Sequence, residues 1–177
     1  MPMHRSRALV IVLSFAGVLA AQDNNYPDRK AIIANVCPFV ELSGFSFQNK
    51  GSHFATNISW KNIGRQPVTA FEIVILKYDA FDRRIIGESW TVPGVNSADW
   101  RPLQPGDRST NGITGPNQEE VFTAFAYVRT VRLADNVVWT VSGGQLNNEL
   151  RKVSPGIRDF GELAPDPPTP QCVVVAR

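Results

Sequence analysis

An all-β antiparallel sandwich is the fold class this sequence predicts, on three observations. Apolar residues alternate with polar ones along most of the chain. Turn residues interrupt that alternation about every ten positions, the spacing of sandwich strands. Helical periodicity is confined to two short stretches, one before Pro38 that fits a strand equally well and one near the C-terminus.

Residues 29–36 (Arg29-Lys30-Ala31-Ile32-Ile33-Ala34-Asn35-Val36) fit either a helical turn or a first strand. From Pro38 onward the period is two, with Val40 and Leu42 on one parity and Phe45 and Phe47 on the other. Phe54, Thr56, Ile58 and Trp60 then alternate with Ala55, Asn57, Ser59 and Lys61, which predicts a strand with one dry and one wet face. Val68–Tyr78 is apolar on both parities, Phe71, Ile73 and Ile75 against Val74, Leu76 and Tyr78, as a central strand requires. The run 79–83 supplies turn chemistry, because Asp side chains bond nearby backbone amides. Arg84–Val92 alternates with Ile86, Trp90 and Val92 on one parity, and residues 93–106 form a long connection ending in Pro105-Gly106. Arg108–Ile113 predicts a short strand, and Val121–Leu133 a long one rich in β-branched and aromatic residues. Asp135-Asn136 links it to Val137–Val141 as a hairpin, since both residues tolerate a positive φ. Ser142-Gly143-Gly144 ends that strand, Gln145–Val153 fits a short helix, and five prolines in 154–170 predict an extended tail.

Residues 1–21 read as a secretory signal: His4, Arg5 and Arg7 precede a 12-residue apolar run, Ala8–Leu19, and small residues at Ala20 and Ala21. That run is shorter than the roughly 20 residues of a membrane span, so cleavage is expected and stable membrane insertion is not. The formal charge of +2 resides wholly in this segment, and 16 basic and 16 acidic side chains remain beyond it. A neutral chain lacks the concentrated basic surface that nucleic acid demands. The expected organisation is a signal over 1–21, a sandwich over 22–153 and a Pro-rich tail over 154–177, in a secreted or periplasmic protein. In that oxidising setting Cys37 and Cys172 are expected to form a disulfide that ties the tail back across the domain. In the simple chain-entropy account a loop of that length is worth about 4–5 kcal/mol.

Catalytic signatures are missing: there is no H-E-x-x-H, C-x-x-C, G-x-S-x-G or phosphate-cradling glycine loop. His53 is the one histidine beyond the signal and reads as a loop residue. Glu119 and Glu120 are adjacent, so a strand would point them to opposite faces, away from the paired arrangement of a glycosidase. Asp79, Asp82 and Asp135 have the oxygen ligands of a calcium site, but their positions suit turn capping better. Arg83, Arg84, Arg129 and Arg132 read as a solvated face rather than a basic strip. Trp60 and Trp139 fall in strand patterns and are expected in the core. Trp100 stands in an irregular polar loop where an indole has no periodic reason to be buried; with Trp90 it is the candidate ligand contact. No cofactor or metal is expected.

Ile75-Leu76-Lys77-Tyr78-Asp79 followed by Arg83-Arg84-Ile85-Ile86-Gly87 resembles the strand-turn-strand of FxLYD-type immunoglobulin-like domains. Leu103-Gln104-Pro105-Gly106-Asp107 is similar to their next turn, and 131–139 to a closing hairpin of exported bacterial sandwiches. The likeness spans about residues 55–141, and Lys77 separates Leu76 from Tyr78 where the namesake motif is continuous. It implies an immunoglobulin-like sandwich at the cell envelope and brings no catalytic residues. The expected function is a non-catalytic module that binds a protein or glycan partner. The alternatives are a carbohydrate-recognising domain built on Trp100, or a hydrolase.

Overall fold

The computed structural model describes residues 29–50, 53–94, 101–116 and 121–161. The expected signal at 1–21, Trp100, Glu119, Glu120 and the rest of the expected tail from 162, with Cys172, lie outside these residues. Eight strands and one helix follow in order: β1 (Lys30–Ala34), β2 (Val40–Lys50), β3 (His53–Asn62), β4 (Val68–Tyr78), β5 (Arg84–Pro93), β6 (Arg108–Pro116), β7 (Thr123–Leu133), β8 (Val138–Thr140) and α1 (Gly143–Val153). The segment at 29–36, open between helix and strand in the sequence, is a strand over Lys30–Ala34.

Two sheets face each other, so the all-β sandwich holds. The larger has the order β1-β7-β4-β5 with β8 also on β7, and the smaller the order β2-β3-β6. One pairing departs from the antiparallel expectation: β1 runs parallel to β7, from Lys30↔Thr123 to Ala34↔Tyr127. Parallel neighbours need a long crossover, and here nearly the whole domain intervenes between the two strands.

The two-faced reading of Val68–Tyr78 is realised in two separate cores. Phe71, Ile73 and Ile75 of β4 join Val40, Leu42, Phe45, Phe47, Ile58 and Trp60 between the sheets. Val74, Leu76 and Tyr78 point to the opposite face, with Phe125 and Tyr127 of β7. That outer face is covered by Leu146 and Leu150, one turn apart on α1, and by Ile157 and Phe160. The first residues of the expected tail are therefore part of the packed domain. Ser142 starts the helix rather than merely ending a strand: its hydroxyl accepts from the Gln145 amide at 3.3 Å, satisfying one exposed N–H. Arg151 and Lys152 close the helix at its negative end.

Bulges explain where simple alternation fails. In β2 the register slips between Ser43 and Ser46, with Gly44 at φ 59°, so Val40 and Leu42 face the same core as Phe45 and Phe47 despite opposite parity. In β5 it slips opposite Ile75–Lys77, which turns Ile85 inward and leaves Ile86 74% exposed, against the expected grouping of Ile86 with Trp90 and Val92. A side chain on Gly87 would collide with the Ile75 carbonyl, so glycine permits this close approach. In β7 a third slip places Val128 and Val131 on one face.

Tyr78, Phe125 and Phe160 stack edge to face in a triangle, with centroids 5.7, 5.9 and 6.3 Å apart. Arg84 spans Tyr78 and donates to the Phe160 carbonyl, pinning the C-terminal segment. Burial pushes the Tyr127 hydroxyl up to about 12, against the opposing pull of Arg129 and Arg84, and burial also raises Tyr78. The unfolded chain gives up these protons near the ordinary tyrosine value of about 10. Stability held by the neutral phenols is thus complete below that pH and is lost as pH rises toward the folded value of about 12. Melting temperature is expected to fall across this window, and Tyr127→Phe to flatten the fall; an unchanged slope in that variant would refute the assignment.

Candidate functional site

The two sheets are unequally covered. The larger is packed on both faces, whereas among the described residues nothing lies over the outer face of β2-β3-β6. Register arranges its outward side chains in rows. Glu41 pairs with Lys61 and Lys61 with Arg108; two residues along, Ser43 pairs with Ser59 and Ser59 with Thr110. These six side chains, with Trp60 and Ser109, line an open groove of about 530 Å³. The bulge at Ser43–Ser46 lies on the β2 side of the groove, where a bulged strand bends and twists more sharply.

Each row has its own chemistry. The Ser59 and Thr110 hydroxyls bond to one another at 2.7 Å, which leaves their remaining hydrogen-bonding capacity facing solvent. Lys61 and Arg108 stand directly opposite each other on paired strands, and like charges so placed destabilise a sheet. Among the described residues neither cation, nor Glu41, is in an ion pair.

A second polar feature is buried. Lys77 is 4% exposed, between the sheets, where its ammonium pairs with Glu88 of β5 and lies 4.0 Å over the Phe54 ring. Gly115 of β6 roofs the pair, since any side chain there would strike the Glu88 carboxylate. Glu88 Oε2 is buried without a hydrogen-bond partner. Lys77, which interrupts the apolar run of β4, is thus a paired charge in the core.

Residues singled out from sequence are dispersed. Trp90 is half-buried and packs edge-on against Trp60 at 5.8 Å, away from the groove rows; Trp100 lies outside the described residues. Trp60 is core, and Trp139 is half-buried against both clusters. Asp79 accepts from the amides of Phe81 and Arg83 at 2.8 and 3.0 Å and from the Arg83 guanidinium. Desolvation raises its carboxyl, but these bonds together hold it below the usual range. Asp135 caps its turn through the Val137 amide, and no three His, Cys, Asp or Glu among the described residues gather as metal ligands. Arg83 pairs with Asp79 and Arg129 with Glu72, so the four arginines make no common strip. The expected bridge from Cys37 is not formed: Cys37 is a buried free thiol whose sulfur accepts from the Val40 and Phe39 amides, and burial raises its pKa while those bonds oppose it.

The groove residues themselves are not in the sequence-derived set. Ser59 and Lys61 read correctly as a wet parity, but only the register shows which polar residues of β2 and β6 stand beside them.

No helix among the described residues is long and apolar enough to cross a membrane. No family model matches the chain, and no curated protein matches it. Among solved structures, two align with part of the chain. A hypothetical protein of Peptoclostridium difficile 630 aligns with a TM-score of 0.44 at 12% identity, over 66% of this chain and 91% of its own. A Bordetella pertussis protein carrying the name ApaA aligns with a TM-score of 0.36 at 15% identity, over 59% of this chain and 88% of its own.

Proposed function

We propose that this chain is an exported, non-catalytic binding module whose ligand surface is the open face of β2-β3-β6. The observation that supports it most is the unequal covering of the sheets, which leaves one concave face lined by a charged row and a hydroxyl row. Small-ligand sites combine concavity with a few convergent polar groups, and rigid strands hold such groups better than loops do. Export rests on residues 1–21, which have the layout of a signal. Kinship with FxLYD-type immunoglobulin-like domains belongs to the same proposal, with the resembling segments falling on β4, its turn and β5.

Filling the groove tests the reading. Ser43 and Thr110 are exposed, so Ser43→Tyr/Thr110→Tyr is expected to leave melting temperature nearly unchanged. The variant is expected to lose the glycan-array signals of the parent protein. Signals that survive the double substitution place binding elsewhere, and turnover on a hydrolase panel would contradict the non-catalytic half.

A further inference from the structure

We infer that the groove takes a carboxylated sugar, its carboxylate held between Lys61 and Arg108 and its ring hydroxyls by Ser43, Ser59 and Thr110. The inference rests on the open sheet face being a binding surface and adds the class of ligand.

Three observations carry it. Lys61 and Arg108 are register partners, and neither forms an ion pair among the described residues, so two positive charges stand side by side on a folded face with one acid, Glu41, on the far side of Lys61. Such an arrangement costs stability, and a bound anion removes that cost while the Arg108 guanidinium offers a carboxylate two parallel donors. Glu41 lies beyond Lys61, not between the cations, so an anion meets two positive neighbours before it meets the acid.

The second observation is spacing. The hydroxyl row is two residues along the strands from the cations, about 7 Å at the usual strand rise. A pyranose that carries a carboxylate at one edge presents its ring hydroxyls across a comparable distance. The third is the character of the hydroxyl row, whose Ser59–Thr110 pair both donates and accepts, as sugar hydroxyls do. An inorganic anion held between the cations is too small to reach that row as well, and an apolar ligand finds little aromatic platform, because Trp60, though it lines the groove, is 3% exposed and turns its ring toward the core.

The probes are oligomers of galacturonate, glucuronate and N-acetylneuraminate, the matching neutral galactose oligomer, and inorganic phosphate, titrated calorimetrically at low salt. At least one acidic oligomer is expected to bind, to bind more than about tenfold tighter than the neutral one, and to weaken as salt rises. Lys61→Gln and Arg108→Gln are each expected to weaken it about tenfold, and Lys152→Gln on α1 to leave it unchanged. Circular dichroism melts confirm that the variants fold. Equal affinity for the neutral oligomer, lost in the Ser43→Tyr/Thr110→Tyr variant, would overturn the anion assignment and leave the binding face standing. Phosphate binding as tight as the acidic oligomers would overturn the sugar assignment. Acidic binding indifferent to both glutamine variants and to the filled groove would overturn the inference and the site together, as would no binding to any probe.

Discussion

Lys77→Met is expected to destabilise the domain by about 3–5 kcal/mol, because it leaves the Glu88 carboxylate between the sheets without its cation. The size follows from burial. Lys77 and Glu88 side chains are 5% and 22% exposed, so water repays little of the lost attraction. The pair itself is a different quantity. Replacing both partners removes two desolvation penalties along with one attraction, and buried pairs so replaced commonly end near neutral. The Lys77→Met/Glu88→Met protein is therefore expected to recover to within about 1 kcal/mol of the parent in urea melts. A double variant as weak as the single one would show that Lys77 acts through its stem and its contact with Phe54, not through charge.

Phe125→Ala comes second, at about 3–5 kcal/mol, or roughly 10 °C in melting temperature for a domain of this size. Phe125 is fully buried and is the ring through which β7, β4 and the segment after α1 meet. Its loss empties the layer that covers the outer face of the larger sheet. Limited proteolysis is expected to cut first within 154–161, where Phe160 loses one of its two ring partners. Phe81→Ala supplies the contrast: that ring is 78% exposed, and the expected change is under about 0.5 kcal/mol. Comparable losses in the two variants would contradict the assignment of the second core.

Much of the fold was legible because burial writes itself into strands as alternation. The two apolar faces of Val68–Tyr78 announced a strand packed on both sides, and two cores are found there. Parity failed wherever the backbone inserts a residue. The opposed parities of Val40 and Phe45, and the misplacement of Ile86, come from bulges whose only trace in the sequence is a glycine, Gly44 or Gly87. The parallel β1–β7 pairing left no trace, since a short apolar run reads alike in either direction.

The candidate site was less legible, for a related reason. Its chemistry comes from rows across strands, and rows depend on register, which local composition does not encode. Exposed aromatic residues are visible one at a time, so attention falls on Trp90 and Trp100. Trp90 proves to be committed to packing against Trp60. Lys61 and Arg108 lie 47 positions apart in the chain and become neighbours only when β3 and β6 pair.

The central claim is that binding occurs on the open face of the smaller sheet. An amide-resolved NMR titration of the protein with an N-acetylneuraminate oligomer tests it most directly. Shift changes are expected at Glu41, Ser43, Ser59, Lys61, Arg108 and Thr110, fading along β2, β3 and β6 away from those rows. Changes centred instead on α1, on β5 or on the turn at Asp79–Arg83, with the groove amides still, would contradict the account.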